Sequence, residues 1–367
     1  MEVVKSIISP VDRQATDLKV CSMDPLSFDK YLKKVGQLNQ AKDVNGLAEL
    51  LYQVLPTPAA LEHYSFEEAA AAMRDLGILL GSIKRHGVEP VWLVPEIEFV
   101  LEILGHKNNL PPRDTLIHYT LWNPDGKRMR SYTQEPDELH LIHSVKKSTG
   151  PLMDAIYNMR NLHQISLKNP KFSDYAKQAH EGFKSMIDGV VHAKRFVSPA
   201  FFANELRYYY DPIHLLGKDW IGPGAVEMPV FVFDHLLWGS DCDDPAYEEF
   251  RQTYLPYILP EFRKIFKEYE NKWSLLLKLL TYVENKKLND TELANIKEVL
   301  KICTLLKSFR MPHKKLAEDS YKEENNPGRS KGSGGYSTDI LVHIIKLCNA
   351  KSNRLKEALE KYQSVEL

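Results

Sequence analysis

The stretch from Glu292 to His313 reads ELANIKEVLKICTLLKSFRMPH. Its apolar residues Leu293, Ile296, Leu300, Cys303, Leu306 and Phe309 recur every three or four positions, the spacing of one face of an α-helix. His313 extends the series four residues after Phe309, so it is expected to project from the apolar face. Pro312 is expected to kink the helix or restart it, because proline lacks an N–H and its ring crowds the carbonyl one turn back.

Other segments carry the same signature. Ser65-Phe66-Glu67-Glu68 is a capping box, in which a Ser hydroxyl and the Glu three residues on satisfy orphan backbone N–H groups. It opens an Ala- and Leu-rich helix over Glu68–Arg85, with Gly87 as a stop. Helical patterns also cover Pro151–Leu162, Tyr175–Phe196, Tyr247–Glu270 and Trp273–Lys286. Ser337-Thr338-Asp339 precedes a last helix that buries Ile340, Ile344, Leu347, Cys348, Leu355 and Leu359. Strand signals are confined to Val91–Val94 and Pro229–Phe233, and the second reads equally as buried helix. The fold class is all-α. The polar, Pro-containing stretches Asn108–Arg113 and Asn123–Glu135 suggest a smaller N-terminal helical part (1–125) and a larger helical domain (126–367).

Composition narrows the function classes. The 367 residues hold 48 Lys+Arg against 49 Asp+Glu, and this balance argues against a nucleic-acid partner, which needs a basic footprint. No run approaches the ~20 apolar residues of a membrane span, so no membrane is expected. The first ten residues lack the apolar core of a secretory signal. Four scattered cysteines without a C-x-x-C fit a reducing cytoplasm.

Thirteen histidines against four cysteines raise the question of a metal. None of the 13 has a Glu three residues before it, which removes the helical di-iron pattern, and zinc-type Cys/His spacing is absent. Neither Gly222-Pro223-Gly224 nor Gly332–Gly335 has the context of a phosphate cradle. His140 and His143 stand one helical turn apart and could share a ligand, or be ordinary surface or core residues. A lone histidine such as His313 is commonly a hydrogen-bonded core residue, but one imidazole in an apolar helical wall is also what a haem requires. Periodicity does not choose between them. The glycine-rich segment 322–335 reads either as a surface loop or as a cover for a ligand.

Here the residues resemble a known family. Ser308–His313 followed by Gly332-Ser333-Gly334-Gly335-Tyr336 and a helix looks like the C-terminal haem segment of the indoleamine/tryptophan 2,3-dioxygenase superfamily. Closer in detail is the monodechloroaminopyrrolnitrin synthase family of pyrrolnitrin biosynthesis. The similar segments are Glu68–Leu76, Lys84–Gly87, Gly222–Pro229, Phe250–Pro260 and Pro312–Glu318, in the same order and at similar spacing over most of the chain. Tyr336 stands where the ring-cleaving dioxygenases tend to carry Ser or Thr, which favours the pyrrolnitrin branch.

The resemblance implies an indoleamine 2,3-dioxygenase-like helical haem fold with one haem b per chain, and O2 or H2O2 as oxidant. By position, His313 is then the iron ligand, and Gly222, Gly224, Ala225 and Val226 lie against the cofactor. Tyr321 and Ser333, with Gly332 and Gly334, hold the substrate's amino-acid group. His140 and Ser144 are weaker candidates for the indole pocket, and Arg207 for a propionate or substrate carboxylate. The implied activity is oxidative rearrangement of L-tryptophan or 7-chlorotryptophan to an aminophenylpyrrole with loss of the carboxylate. The alternatives are a haem dioxygenase or monooxygenase that oxidises the indole without rearrangement, and a non-catalytic helical module. The expected partner is a tryptophan-type small molecule, with an external electron donor as a further candidate.

Overall fold

The computed structural model describes residues 9–326, 335–336 and 338–365. The expected Ser333, Gly332 and Gly334 lie outside the described residues. Among those described are seventeen α-helices, short 3-10 turns and one two-stranded hairpin, so the fold is all-α.

The helix around the opening stretch runs unbroken from Asp290 to Lys322. Asn289 caps it by accepting from the Glu292 N–H at 2.9 Å, and the Glu292 carboxylate accepts the Asn289 N–H at 2.8 Å. The expected restart at Pro312 does not occur. Proline removes one backbone bond, but Leu306 and Phe309 just before it are buried in the core, so packing outweighs the local penalty. Pro151 is likewise carried inside a single helix, Pro136–Gln164, longer than its sequence pattern suggests. The expected helix Tyr247–Glu270 is instead Pro245–Tyr254, a 3-10 turn and Pro260–Tyr269. There Pro256 and Pro260 fall close together and do break the chain.

Val91–Val94 is not a strand. Pro90–Leu93 forms one helical turn with proline at its first position, where the missing N–H costs nothing. Val230–Asp234 resolves as helix and continues into a π-turn over His235–Gly239. The hairpin, Ile213–Leu215 against Lys218–Trp220, was not anticipated. Its two-residue connection has positive φ at both Leu216 (53°) and Gly217 (76°), the I′ geometry that matches strand twist.

Two apolar clusters form the interior, and the helix Phe66–Arg85 belongs to both. Ala70 and Ala71 face the larger cluster while Ala69 and Ala72 face the smaller. Every residue from Ala69 to Ile83 is buried, and the alanines let neighbouring segments pack closely on all sides. The polar stretch 123–135 is held down by Arg130, whose Nε donates to Asp75 of that helix at 2.7 Å. Arg74 donates from the same helix to the carbonyls of Val20, Met23 and Trp122.

Lys171–Phe196 packs against both Pro136–Gln164 and Asp290–Lys322. A Cβ on Gly189 would stand 2.1 Å from Ser148 Oγ and 3.0 Å from the Ser144 carbonyl, so glycine is what permits this approach. Ser148 Oγ donates across the crossing to the Ser185 carbonyl at 3.0 Å. No helix among the described residues is long and apolar enough to cross a membrane.

Candidate active site

These three helices enclose a cavity of about 320 Å³ with a mainly apolar wall. Phe309, His313, Leu316 and Ser320 border it from the Asp290–Lys322 helix, a stripe at three- and four-residue spacing. Ser144 and Ser148 contribute from one neighbour, and Met186, Gly189 and Ala193 from the other. Pro223–Val226 closes a further side, with Ile340 and Ile344 from the last helix.

His313 is half-buried at this wall, its ring stacked on Phe309 with centroids 5.4 Å apart and planes at 14°. Its Nδ1 is buried without a hydrogen-bond partner among the described residues. Burial, seconded by the nearby Arg310 charge, pushes its pKa down to about 4, so the imidazole is neutral near pH 7. Two other histidines are satisfied by backbone, whereas His118, like His313, keeps a ring nitrogen without a partner among the described residues. His163 bonds the Leu236 carbonyl at 2.7 Å, and His235 bonds the Phe266 carbonyl at 3.0 Å. What sets His313 apart is its place on the cavity wall, where a neutral imidazole with a free nitrogen would suit a single bond to haem iron. Among the described residues, no group of three or more His, Cys, Asp or Glu is disposed to hold a bare metal ion.

The cavity also carries charge. Arg310, one turn before His313, is buried and ion-paired with Asp234. Asp234 also accepts from Trp238 Nε1 at 3.0 Å. Burial pushes the Asp234 carboxyl up, with Arg310 opposing. Arg207 lines the cavity from a 3-10 turn, Leu206–Tyr210, with its guanidinium 5.0 Å from the ring centre of Tyr321. Its Nη1 lies 3.4 Å from the Glu324 carboxylate. Burial raises the Tyr321 phenol, which therefore stays protonated as a donor.

The residues singled out in the sequence are distributed as follows. His313, Tyr321, Arg207, Ser144, Gly224, Ala225 and Val226 all line the cavity, although they come from distant parts of the chain. Gly222 does not. A Cβ there would stand 2.5 Å from Arg113 Nη2 and 2.7 Å from the Tyr210 carbonyl, so it lets the backbone cross a buried arginine that donates to the Trp220 carbonyl two residues before. Glu227 holds the other end by accepting the Leu116 N–H. His140 is also off the cavity. Its Nδ1 lies 3.2 Å from His192 Nε2, and its ring stacks on Phe196 at 4.6 Å. One turn along the same helix, Ser144 faces inward and His140 outward.

Asp234, Arg310, Glu324 and Gly189 escaped the sequence reading. Arg310 lies three residues before His313 on one helix, so helix spacing could have flagged it, whereas Glu324 lies beyond the helix end and had no such signal. Asp234 and Gly189 had no local signal.

A family model described as monodechloroaminopyrrolnitrin synthase PrnB matches residues 22–367, nearly the whole chain.

Proposed function

The chain belongs to the monodechloroaminopyrrolnitrin synthase family, tryptophan-modifying enzymes of pyrrolnitrin biosynthesis, and from that premise we propose that its cavity holds haem b on His313 beside a tryptophan-type substrate. The reaction is the oxidative rearrangement of L-tryptophan or 7-chlorotryptophan to an aminophenylpyrrole. The indole opens, the ring recloses onto the side-chain amine, and the carboxylate is lost. The observation carrying this reading is that His313, Arg207, Tyr321 and Pro223–Val226, from separate parts of the chain, border one apolar cavity.

When bound, haem supplies the redox chemistry, activating O2 or H2O2 and oxidising the indole. The chain's own groups do the rest. His313 offers a neutral nitrogen lone pair, and its burial keeps protons from competing for it. Gly189, Ala193, Gly224 and Ala225 put little or no side chain into the cavity. Met186, Phe231 and Ile344 exclude water, so a polar group entering the cavity must find a partner there. Arg207 offers a fork for a carboxylate, and the Tyr321 hydroxyl a hydrogen bond. Ser333, with Gly332 and Gly334, is assigned to the amino-acid group from the family resemblance alone.

The test has two arms. Haem-loaded protein should show a Soret band that His313→Ala loses; equal haem retention in the variant would move the axial ligand elsewhere. Incubation with tryptophan and with 7-chlorotryptophan should yield a product lacking the carboxylate by mass spectrometry. A product heavier by added oxygen with the carboxylate kept would replace rearrangement with plain indole oxidation.

A further inference from the structure

Glu138 is a fully buried carboxylate, and no Lys, Arg or His pairs with it among the described residues. Its oxygens are met by hydrogen-bond donors instead. Oε1 accepts from the Tyr119 hydroxyl and the Tyr132 N–H, and Oε2 from the N–H and hydroxyl of Thr133, each at 2.7 Å. These donors fill the lone-pair positions of an ionised carboxylate. Its place in the first turn of Pro136–Gln164 adds the favourable end of the helix dipole. A buried ion without a counter-ion is costly all the same, and burial raises the affinity of Glu138 for a proton.

One of those donors borders the cavity. Tyr119 lines its wall, and the Tyr119 hydroxyl proton points at Glu138. Burial, with the Glu138 charge beside it, pushes the phenol well up, so it is protonated at rest. The Tyr119 ring stacks on Tyr132 with centroids 5.4 Å apart and meets Tyr210 edge-on at 5.5 Å. The hydroxyls of Tyr132 and Tyr210 have no hydrogen-bond partner among the described residues. Of these three tyrosines, Tyr119 is the one with a base at its oxygen. A phenol gives up an electron readily only when its proton can leave too, because the oxidised phenol is a strong acid.

We propose that Tyr119 and Glu138 form a redox-active pair that returns an electron to the cavity's haem site when hydrogen peroxide arrives without substrate. This rests on the reading of the cavity as a haem site. Hydrogen peroxide takes two electrons from the site, and Tyr119 gives one back. The Tyr119 O–H bond breaks, its electron passes to the site, its proton forms an O–H bond on Glu138 Oε1, and a neutral phenoxyl radical remains. The hydrogen bond survives with its direction reversed, Glu138 now donating and the Tyr119 oxygen accepting. The pair thereby goes from one buried negative charge to none, which removes the penalty that Glu138 carries at rest. An ascorbate-type donor restores the pair. Its electron reduces the phenoxyl, the proton on Glu138 returns to Tyr119, and the donor's own proton leaves to solvent.

Electron paramagnetic resonance of haem-loaded protein, mixed with hydrogen peroxide in the absence of tryptophan and freeze-quenched, tests this without relying on turnover. Wild type should show a radical signal that narrows when its tyrosines are ring-deuterated. The signal should carry an exchangeable proton coupling that disappears after equilibration in D2O, the mark of a hydrogen bond to the phenoxyl oxygen. Tyr119→Phe should lower the signal per bound haem at least fivefold. Tyr210→Phe, on the same wall but without a hydroxyl partner, should stay within twofold of wild type. Glu138→Gln keeps an oxygen acceptor for Tyr119 but not the base, and should also lower the signal at least fivefold. An undiminished signal in Tyr119→Phe, or equal losses in Tyr119→Phe and Tyr210→Phe, would overturn the assignment to Tyr119. An undiminished signal in Glu138→Gln would overturn the pair. The D2O comparison needs no variant, and haem-bound wild type with no tyrosyl radical, or with no exchangeable coupling, overturns the inference by itself. Wild type without a Soret band overturns the haem reading, and the inference with it.

Discussion

Arg310, three residues before His313 on one helix, is locked in a buried ion pair with Asp234, the last residue of the Val230–Asp234 helix. The pair ties the segment that carries the candidate iron ligand to the segment leading out of the Pro223–Val226 wall. Asp234→Asn leaves the Arg310 guanidinium buried without its counter-ion. The expected cost is about 3–5 kcal/mol of folding stability, measured by denaturant titration. The same variant should retain less haem, because the helix turn bearing His313 loses its anchor. Stability within 1 kcal/mol of wild type would show that the pair contributes little.

The helix crossing at Gly189 admits no side chain. Gly189→Ala places a methyl 2.1 Å from Ser148 Oγ and should destabilise the fold by about 1–3 kcal/mol through overpacking. Both residues border the cavity, so substrate affinity should fall as well. Adding Ser148→Ala should relieve part of the clash. A double-mutant cycle that finds strictly additive effects would deny the contact.

Ser144 and His140 occupy one helix four residues apart but meet different surroundings. Ser144→Leu projects into the cavity and should weaken ligand binding at least tenfold. His140→Ala, whose ring packs on His192 and Phe196 outside the cavity, should stay within about twofold of wild type. Binding titrations of the two variants decide it, and a reversed order would return His140 to the ligand.

Acid should act through the buried histidines. Burial pushes His163 down to about 4, and its bonds to Leu236 and Lys278 suit the neutral ring. In the unfolded chain a histidine takes up its proton near pH 6.5. The unfolded state therefore binds more protons between those values, and the stability His163 contributes is complete above pH 6.5 and lost as pH falls toward 4. Asp114, raised to about 6, and Glu261, raised to about 7, act with the opposite sign across much of this window. The difference between wild type and His163→Gln isolates the histidine. Wild type's advantage should shrink by up to about 3 kcal/mol from pH 7 to pH 4, and a pH-independent difference would contradict the neutral assignment.

Much of the architecture was readable from neighbouring residues. The capping box at Ser65–Glu68 and the three-and-four spacing around Leu306 and Phe309 predicted helices that the structure contains. Spacing reads one helix through Pro256 and Pro260, where the chain breaks, and a helix start at Pro151 and a kink or restart at Pro312, where tertiary packing carries single helices through. The apolar run Val91–Val94 misled because strands need partners, which a run of four residues cannot reveal.

Sequence alone determined the all-α class and the family, since each depends on residues within a turn or two or on motifs in fixed order. Only the tertiary structure decided that Arg207 pairs with Glu324, that Asp234 holds Arg310, that Gly189 admits Ser148, and that His140 stands outside the cavity. The physical reason lies in the range of the forces involved. Helix formation is governed by contacts three and four residues apart, which spacing records directly. Burial of a charge or close approach of two backbones depends on segments brought together by the whole core, and no local pattern encodes those neighbours.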